Sequence, residues 1–307
     1  MIQYIDLMKD ILNNGHQRED RTKVGTISVF GRQLRFNLQN GFPAVTTKKL
    51  AWRMVVAELL WFLEGSHNVQ RLAVLKNDGK PYSDLTDQER FTIWDANYEH
   101  QGKDLGYRDG ELGPIYGKQW RDWTGVEEVW DPIGQGLFNV FHNIIKKDQI
   151  KDAINLIKND PTSRRIMVSA WNPSELAKMT LPPCHYGFQF YVDGDTLSLM
   201  WNQRSVDVCT GLPFNIASYG LLLCIIARLT GLKPGELIGN LGDCHIYNNH
   251  IENALKQVER PCHPLPVLEF PDVSTNDLDE FLKSVKTSDF KLIGYVHEDQ
   301  IKYPMAV

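Results

Sequence analysis

A run of apolar residues long enough to cross a bilayer is missing. The longest apolar stretch, residues 216–227, is broken by Ser218 and Tyr219 and stops at Arg228. Spanning takes roughly 20 apolar residues, so the stretch reads as a buried core helix. Residues 1–10 lack the basic segment followed by an apolar run that marks a targeting signal. Cysteine is scarce: five in 307 residues, Cys184, Cys209, Cys224, Cys244 and Cys262, with no C-x-x-C pair. An odd count without such a pair disfavours a disulfide framework and a structural zinc site, and it fits reduced thiols in the cytoplasm. An excess of positive charge is missing too. The net charge of −5 argues against a general nucleic-acid surface, although a small anion needs only a local cluster of Arg. No repeat, low-complexity run or interdomain linker stands out.

What remains is an ordinary globular composition, 42% hydrophobic and 23% charged, with ample length for a large core. Residues 2–14 carry Ile2, Ile5, Met8, Ile11 and Leu12 at helical spacing, and Gly15 stops them. Residues 25–38 alternate on either side of Gly31, which suggests a hairpin. Residues 50–63 form an apolar helix with Glu58 inside it. Residues 77–90 and 123–147 read as irregular inserted loops, and 149–158 as an amphipathic helix. Residues 185–192 and 196–203 flank Asp193-Gly194-Asp195, a strong hairpin signal. Helices are expected over 214–229 and 245–258, then short strands near 265–270 and 290–296. Strands and helices do not alternate regularly, so the expected fold class is α+β, in one domain over 1–307.

Several residues could carry chemistry. Cys184 follows Leu181-Pro182-Pro183 where a Pro-rich loop enters a strand. Most cysteines are small buried hydrophobes. This one has company: Arg204 is on the partner strand, and positive charge favours a thiolate. Arg204, Ser205 and Asp207 crowd one strand end, where Arg and Ser can hold a phosphate; the plain alternative is a solvated strand end. Arg164-Arg165 form a second possible anion site, and Arg21 a weaker one. Asn215 enters an apolar helix as a cap, a satisfied core amide or a base reader, since an amide offers a donor and an acceptor together. Glu58 in an apolar helix is either paired or an acid/base with a raised pKa. Trp94 and Tyr116 alone would be read as packing.

Together these segments resemble the folate-dependent thymidylate synthase family. The resemblance rests on DRT at Asp20, FPAVTTKKL at Phe42, ELLWFLEG at Glu58, IWD at Ile93 and DLGYRDGELGPIYGKQW at Asp104. It continues with SRR at Ser163, SAWNP at Ser169, LPPCH at Leu181, QRSVDV at Gln203, GLPFNIASY at Gly211, GDCHIYNNHIE at Gly242 and the final IKYPMAV. These blocks run in order along nearly the whole chain. The stretch from Trp94 to Trp120 is similar to the longer-loop branch of eukaryotes and some large phages.

The resemblance implies a mixed β-sheet flanked by helices and a sheet-to-sheet homodimer. It implies reductive methylation of dUMP to dTMP with 5,10-methylenetetrahydrofolate, giving dihydrofolate, with no metal and no nicotinamide. Cys184 would attack C6 of dUMP. Glu58 and Tyr116 would handle protons through water. Arg21, Arg204 and Ser205 would hold the phosphate, with Arg164 and Arg165 supplied by the other subunit. Asn215 would read the uracil edge, His245 and Tyr247 the 3′-hydroxyl, and His185 and Gln203 would belong to the same substrate site. Ile93, Trp94, Asp207, Gly211, Phe214 and Val307 would lie at the folate, with Asp207 also counted among the catalytic groups. No membrane or nucleic acid is needed.

The chain departs from the family pattern at Lys23, where Gly is usual, at Asn202, where an aromatic is usual, and at Cys209-Thr210, where Phe-Leu is usual. Polar groups at Asn202 and Thr210 beside the folate would favour water, so a dUMP hydroxymethylase of the same superfamily is the alternative. A catalytically silent nucleotide- or RNA-binding relative is a third reading, disfavoured by intact Cys184, Glu58, Tyr116 and Asn215.

Overall fold

The computed structural model describes residues 1–19, 23–134 and 137–304. In chain order the elements are α1 (Ile2–Asn14), β1 (His16–Arg18), β2 (Thr26–Asn37), α2 (Trp52–Leu63), α3 (Val69–Lys76), α4 (Asp87–Arg90), α5 (Asp95–Asn97), α6 (Tyr116–Arg121), β3 (Trp123–Gly134), β4 (Leu137–Lys147) and α7 (Gln149–Asn159). There follow β5 (Met167–Ser169), β6 (His185–Asp193), β7 (Thr196–Asp207), α8 (Gly211–Thr230), β8 (Lys233–Tyr247), α9 (Ile251–Val258), β9 (Val267–Glu269), α10 (Leu278–Ser284) and β10 (Lys291–Ile293). A six-stranded mixed sheet, ordered β1-β2-β8-β7-β6-β5, carries helices on one face. The fold is α+β, as expected.

Local chemistry accounts for the elements that were legible. In α7, Ile150, Ala153, Ile154 and Ile157 form the buried stripe, and the Asp148 carboxylate accepts from the Lys151 N–H at 3.0 Å as N-cap. Helix α8 is buried along most of its length and ends where Gly231 turns left-handed at φ +75°. By length and composition it is apolar enough to cross a membrane, but 78% of the relevant window is buried inside the protein. It packs on β7 and β8, where the Trp201 and Tyr219 rings stack at 5.4 Å. Opposite Trp201 in register lies Gly239; a Cβ there would sit 2.4 Å from the indole, so only glycine admits this ring.

Three expectations are corrected. Residues 25–38 are one strand, not a hairpin: Gly31 takes φ +72° and the register with β8 holds on both sides, Phe30 facing Asp243 and Arg32 facing Leu241. Residues 123–147 are not irregular but the long antiparallel hairpin β3–β4. Apolar side chains on both of its faces hide the alternation. The expected helix start at His245 is the end of β8, and α9 begins at Ile251. Strand β8, central to the sheet, was not foreseen. Glycines at 235 and 239 occupy inward positions where apolar side chains would have revealed a period of two.

Candidate functional site

Strands β7 and β8 run parallel, so their C-terminal ends arrive together, Ser205 beside Asp243 and Asp207 beside His245. The polar cleft above these ends has a volume of about 440 Å³ and is lined by Cys184, Arg204, Ser205, His245 and Tyr247 together with Arg18 and Asp243. Of the five cysteines, only Cys184 lines it. Arg18 and Asp243 were missed by sequence reasoning. They form an ion pair at 2.8 Å between β1 and β8, a contact across the chain that no local motif announces.

Cys184 is held by its backbone. Its N–H donates to the Tyr116 hydroxyl at 2.8 Å, and its carbonyl accepts from the Arg204 N–H at 2.8 Å. The Arg204 guanidinium donates to the carbonyls of Pro183 and Pro182, both at 2.9 Å, and lies over the Trp171 ring. Arg204 therefore shapes the Pro-rich loop as well as charging it. Burial raises the Cys184 thiol, and the Arg204 charge lowers it by less. Arg204 thus acts in the expected direction, but burial outweighs it and the resting group is a thiol. Burial also pushes Cys224 and Cys244 up to about 12.

Behind the cleft runs a file of rings. Tyr116 stacks on His185 at 4.3 Å, and His185 Nδ1 meets the Tyr219 hydroxyl at 2.8 Å. Burial lowers His185 to about 3, so its imidazole is neutral at neutral pH. Trp94 packs edge-on to Tyr116 and donates its indole N–H to Glu58 Oε1 at 2.7 Å. Burial raises Glu58 from 4.5 to about 7, against a smaller lowering from the Trp94 bond. A cavity of about 20 Å³ bounded by Glu58, Ile93 and Phe214 adjoins it, room for roughly one water.

The amides are wired in series. Trp201 Nε1, a donor only, bonds Gln203 Oε1 at 3.2 Å. That leaves Gln203 Nε2 to reach the Ser205 carbonyl and Asn215 Oδ1, both at 3.0 Å. Gln203 is buried with its amide taken up by the protein, and it orients Asn215. Among the described residues, Gln203 is the partner seen for the Asn215 side chain. His245 Nδ1 approaches Asp243 Oδ1 at 3.3 Å, and its ring lies 5.3 Å from that of Tyr247.

Asp207 caps the approach to α8. Its carboxylate accepts from the N–H groups of Cys209 and Thr210, both at 3.0 Å, and from the Thr210 hydroxyl. The Thr210 hydroxyl is therefore engaged. Asn202 lies in the line Gln33–Asn240–Asn202 on the open face of the sheet, where its Oδ1 accepts from Asn240 Nδ2 at 3.1 Å. Asn202 thus faces away from Trp201 and the helices, and both polar groups that favoured water are taken up by protein partners. Gly211 and Phe214 lie half-buried in the first turn of α8, and Ile93 is exposed. Lys48, missed from sequence, is buried, lowered by that burial to about 8, and bonded to the Cys209 carbonyl. Arg164 and Arg165 are exposed just before β5 and are not among the residues lining the Cys184 cleft. Arg21 and Val307 lie outside the described residues.

The cleft and the residues behind it thus join a cysteine, an Arg-Ser strand end, a half-buried amide and a carboxyl raised by burial. The thymidylate synthase family model matches residues 2–307. The chain is 47% identical over 314 residues to thymidylate synthase of Enterobacteria phage T4, covering all of both chains. It is 47% identical over 308 residues to the probable thymidylate synthase of Escherichia phage T5, again covering both in full. It is 44% identical over 313 residues to the bifunctional dihydrofolate reductase-thymidylate synthase of Zea mays, covering 99% of this chain and 54% of that protein. The chain belongs to the thymidylate synthase family. Its activity is folate-dependent methylation of dUMP, with methylenetetrahydrofolate as co-substrate. Among the described residues, no three His, Cys, Asp or Glu converge on a metal position.

Proposed function

We propose that Cys184 is the nucleophile, adding Sγ to C6 of dUMP so that C5 becomes nucleophilic. The observation that carries this is its place in the cleft beside Arg204 and Ser205, with its backbone fixed on both sides. Arg21, Arg204 and Ser205 hold the phosphate; His245 and Tyr247 take the 3′-hydroxyl. Asn215 donates to O4 of uracil through Nδ2 and accepts N3–H at Oδ1. Gln203 and His185 act beneath the cleft as positioning residues. Glu58, titrating near 7, exchanges protons at O4 and the folate nitrogens through a water. Tyr116 stays a phenol, because burial and the neighbouring Cys184 raise it, and it relays the C5 proton through water at its hydroxyl. Ile93, Trp94, Asp207, Gly211 and Phe214 bound the folate, and Val307 closes over it. The folate supplies the methylene and then a hydride, so dihydrofolate should appear one for one with dTMP. Loss of dUMP without dihydrofolate, with a hydroxymethyl mass gained, would identify a hydroxymethylase instead.

The wiring of Asn215 leads to a specificity test. In Asn215→Asp, Gln203 Nε2 still holds one oxygen, and the other presents an acceptor where a donor stood. A mismatched buried hydrogen bond costs about 1–3 kcal/mol. Activity on dUMP should fall ~5–150-fold and relative use of dCMP should rise; an unchanged dUMP/dCMP ratio refutes the assignment.

The unit we propose is a cytoplasmic homodimer of single-domain subunits, independent of membrane and nucleic acid. Its support is the helix-free face of the sheet, where Arg35, Ile238, Met200, Gln189 and Met167 stand in one register row across five strands. Pairing two such faces brings Arg164 and Arg165 into the partner's site. Inactive Arg164→Ala and inactive Cys184→Ser proteins, mixed, should regain activity, because one hybrid site then has every wild-type part. Hybrids that form and stay inactive rule out an Arg pair supplied in trans.

A further inference from the structure

The hairpin β3–β4 has no role in the cleft. Each strand is at least 11 residues long, and beyond its partner strand the hairpin packs mainly on α6 at its base. A two-stranded hairpin left alone in water is marginal, so a projecting one of this length calls for a cover. Its two faces differ. Even-numbered residues make one face, with Val126 opposite Ile144, Trp130 opposite Val140 and Pro132 opposite Phe138. These side chains lie in the open: Val126 is 65%, Trp130 59% and Ile144 73% exposed. The odd-numbered face carries one apolar pair, Val129 opposite Phe141, set between the polar pairs Glu127–Asn143 and Asp131–Asn139. The even-numbered face, with three apolar pairs against one, is therefore the more apolar of the two, and it is uncovered.

At the centre of the apolar face one polar pair, a carboxyl against an imidazole, interrupts it. Glu128 and His142 are directly opposed in register, with Oε1 3.4 Å from Nε2. This arrangement is self-complementary. A two-fold axis running along the hairpin between its strands places β3 of one copy over β4 of the other. Glu128 then faces His142 of the second copy twice over, and each apolar residue faces the one it already opposes in register. Edge-to-edge pairing along β3 is discouraged by Pro132 and by its three acids, Glu127, Glu128 and Asp131.

We propose that the even-numbered face of β3–β4 docks on the same face of a second copy of this chain. The contact is separate from the sheet-face dimer, so where that dimer forms, the hairpins join dimers in pairs. One hairpin face is smaller than the ~800 Å² per partner of a standard interface, so the association is weak and is read at roughly 10–500 μM protein.

Sedimentation velocity tests it on the full chain, with a variant whose residues 125–145 are replaced by a short Gly-Ser link setting the baseline mass. The full chain should approach twice that baseline as concentration rises, whether the baseline is monomer or dimer, so failure here is distinct from failure of the sheet-face dimer. Glu128→Lys sets base over base and His142→Glu sets acid over acid, and each should weaken self-association at least ~10-fold. Mixed together the two variants should restore it, because the introduced base of one then faces the introduced acid of the other. Trp130→Asp should abolish it. A full chain that sediments like the baseline at every concentration overturns the proposal. Association that survives both charge variants overturns it as well, since edge pairing would not feel them.

Discussion

Cys184→Ser is expected to lose at least ~10⁴-fold in turnover, the scale on which enzymes lose a covalent nucleophile. Both anchors of the residue are backbone groups, the N–H to Tyr116 and the carbonyl from Arg204, and neither changes with the substitution. Stability should therefore stay within about 0.5 kcal/mol of wild type, and dUMP affinity should be largely retained. With 5-fluoro-dUMP and methylenetetrahydrofolate, wild type should accumulate a covalent adduct, because fluorine at C5 cannot leave as a proton does. Peptide mass spectrometry should place that adduct on Cys184. Finding it on Cys209 or Cys244, both buried, or finding none, refutes the nucleophile. Because the resting group is a thiol raised by burial, the rate of adduct formation should also climb with pH into the alkaline range.

Glu58→Gln should move activity and stability in opposite directions. Turnover should fall ~10²–10⁴-fold, the usual contribution of a positioned acid/base. Stability should rise above neutral pH. The Glu58 pKa stands at about 7 in the fold against 4.5, so the folded state holds its proton more tightly than the unfolded chain does. Below pH 4.5 both states are protonated and the residue costs nothing. As pH rises from there through 7, the unfolded state is favoured, until the full difference between the two values corresponds to about 3 kcal/mol. Gln is neutral throughout and still accepts from the Trp94 indole. Denaturant melts of the two proteins should coincide near pH ~4 and separate by about 3 kcal/mol at pH ~8. Equal separation at both pH values would show that Glu58 does not titrate as stated.

Glu58 was legible because a lone carboxyl inside an apolar helix has few explanations. Helices α1 and α7 and the β6–β7 hairpin were legible because their cues are local: periodicity, a cap, an Asp-Gly turn. Apart from the β3–β4 hairpin, the failures share a cause, which is that the deciding partner lies far along the chain. Gly239 disguises β8 because Trp201 fills its inward space. The Arg18–Asp243 pair joins residues 225 apart. Asn202 drew suspicion by its neighbours in sequence, yet the direction of a strand residue depends on register, and it faces the other side of the sheet. The sign of the Cys184 shift needed burial as well as charge, and only the first of these is invisible in a motif.

The indole of Trp201 fixes more than a core contact. Its nitrogen has one polarity, and each amide below it can be flipped by half a turn with almost no change in shape. The donor at Trp201 breaks that ambiguity for Gln203, and Gln203 breaks it for Asn215. With Asn215 as the base reader proposed above, the distinction between two pyrimidines is set by a reference atom that never meets either of them. Remove the reference, as in Trp201→Phe, and nothing in the two amides themselves prefers one orientation. Discrimination between the bases would then erode with every side chain that touches the ligand unaltered.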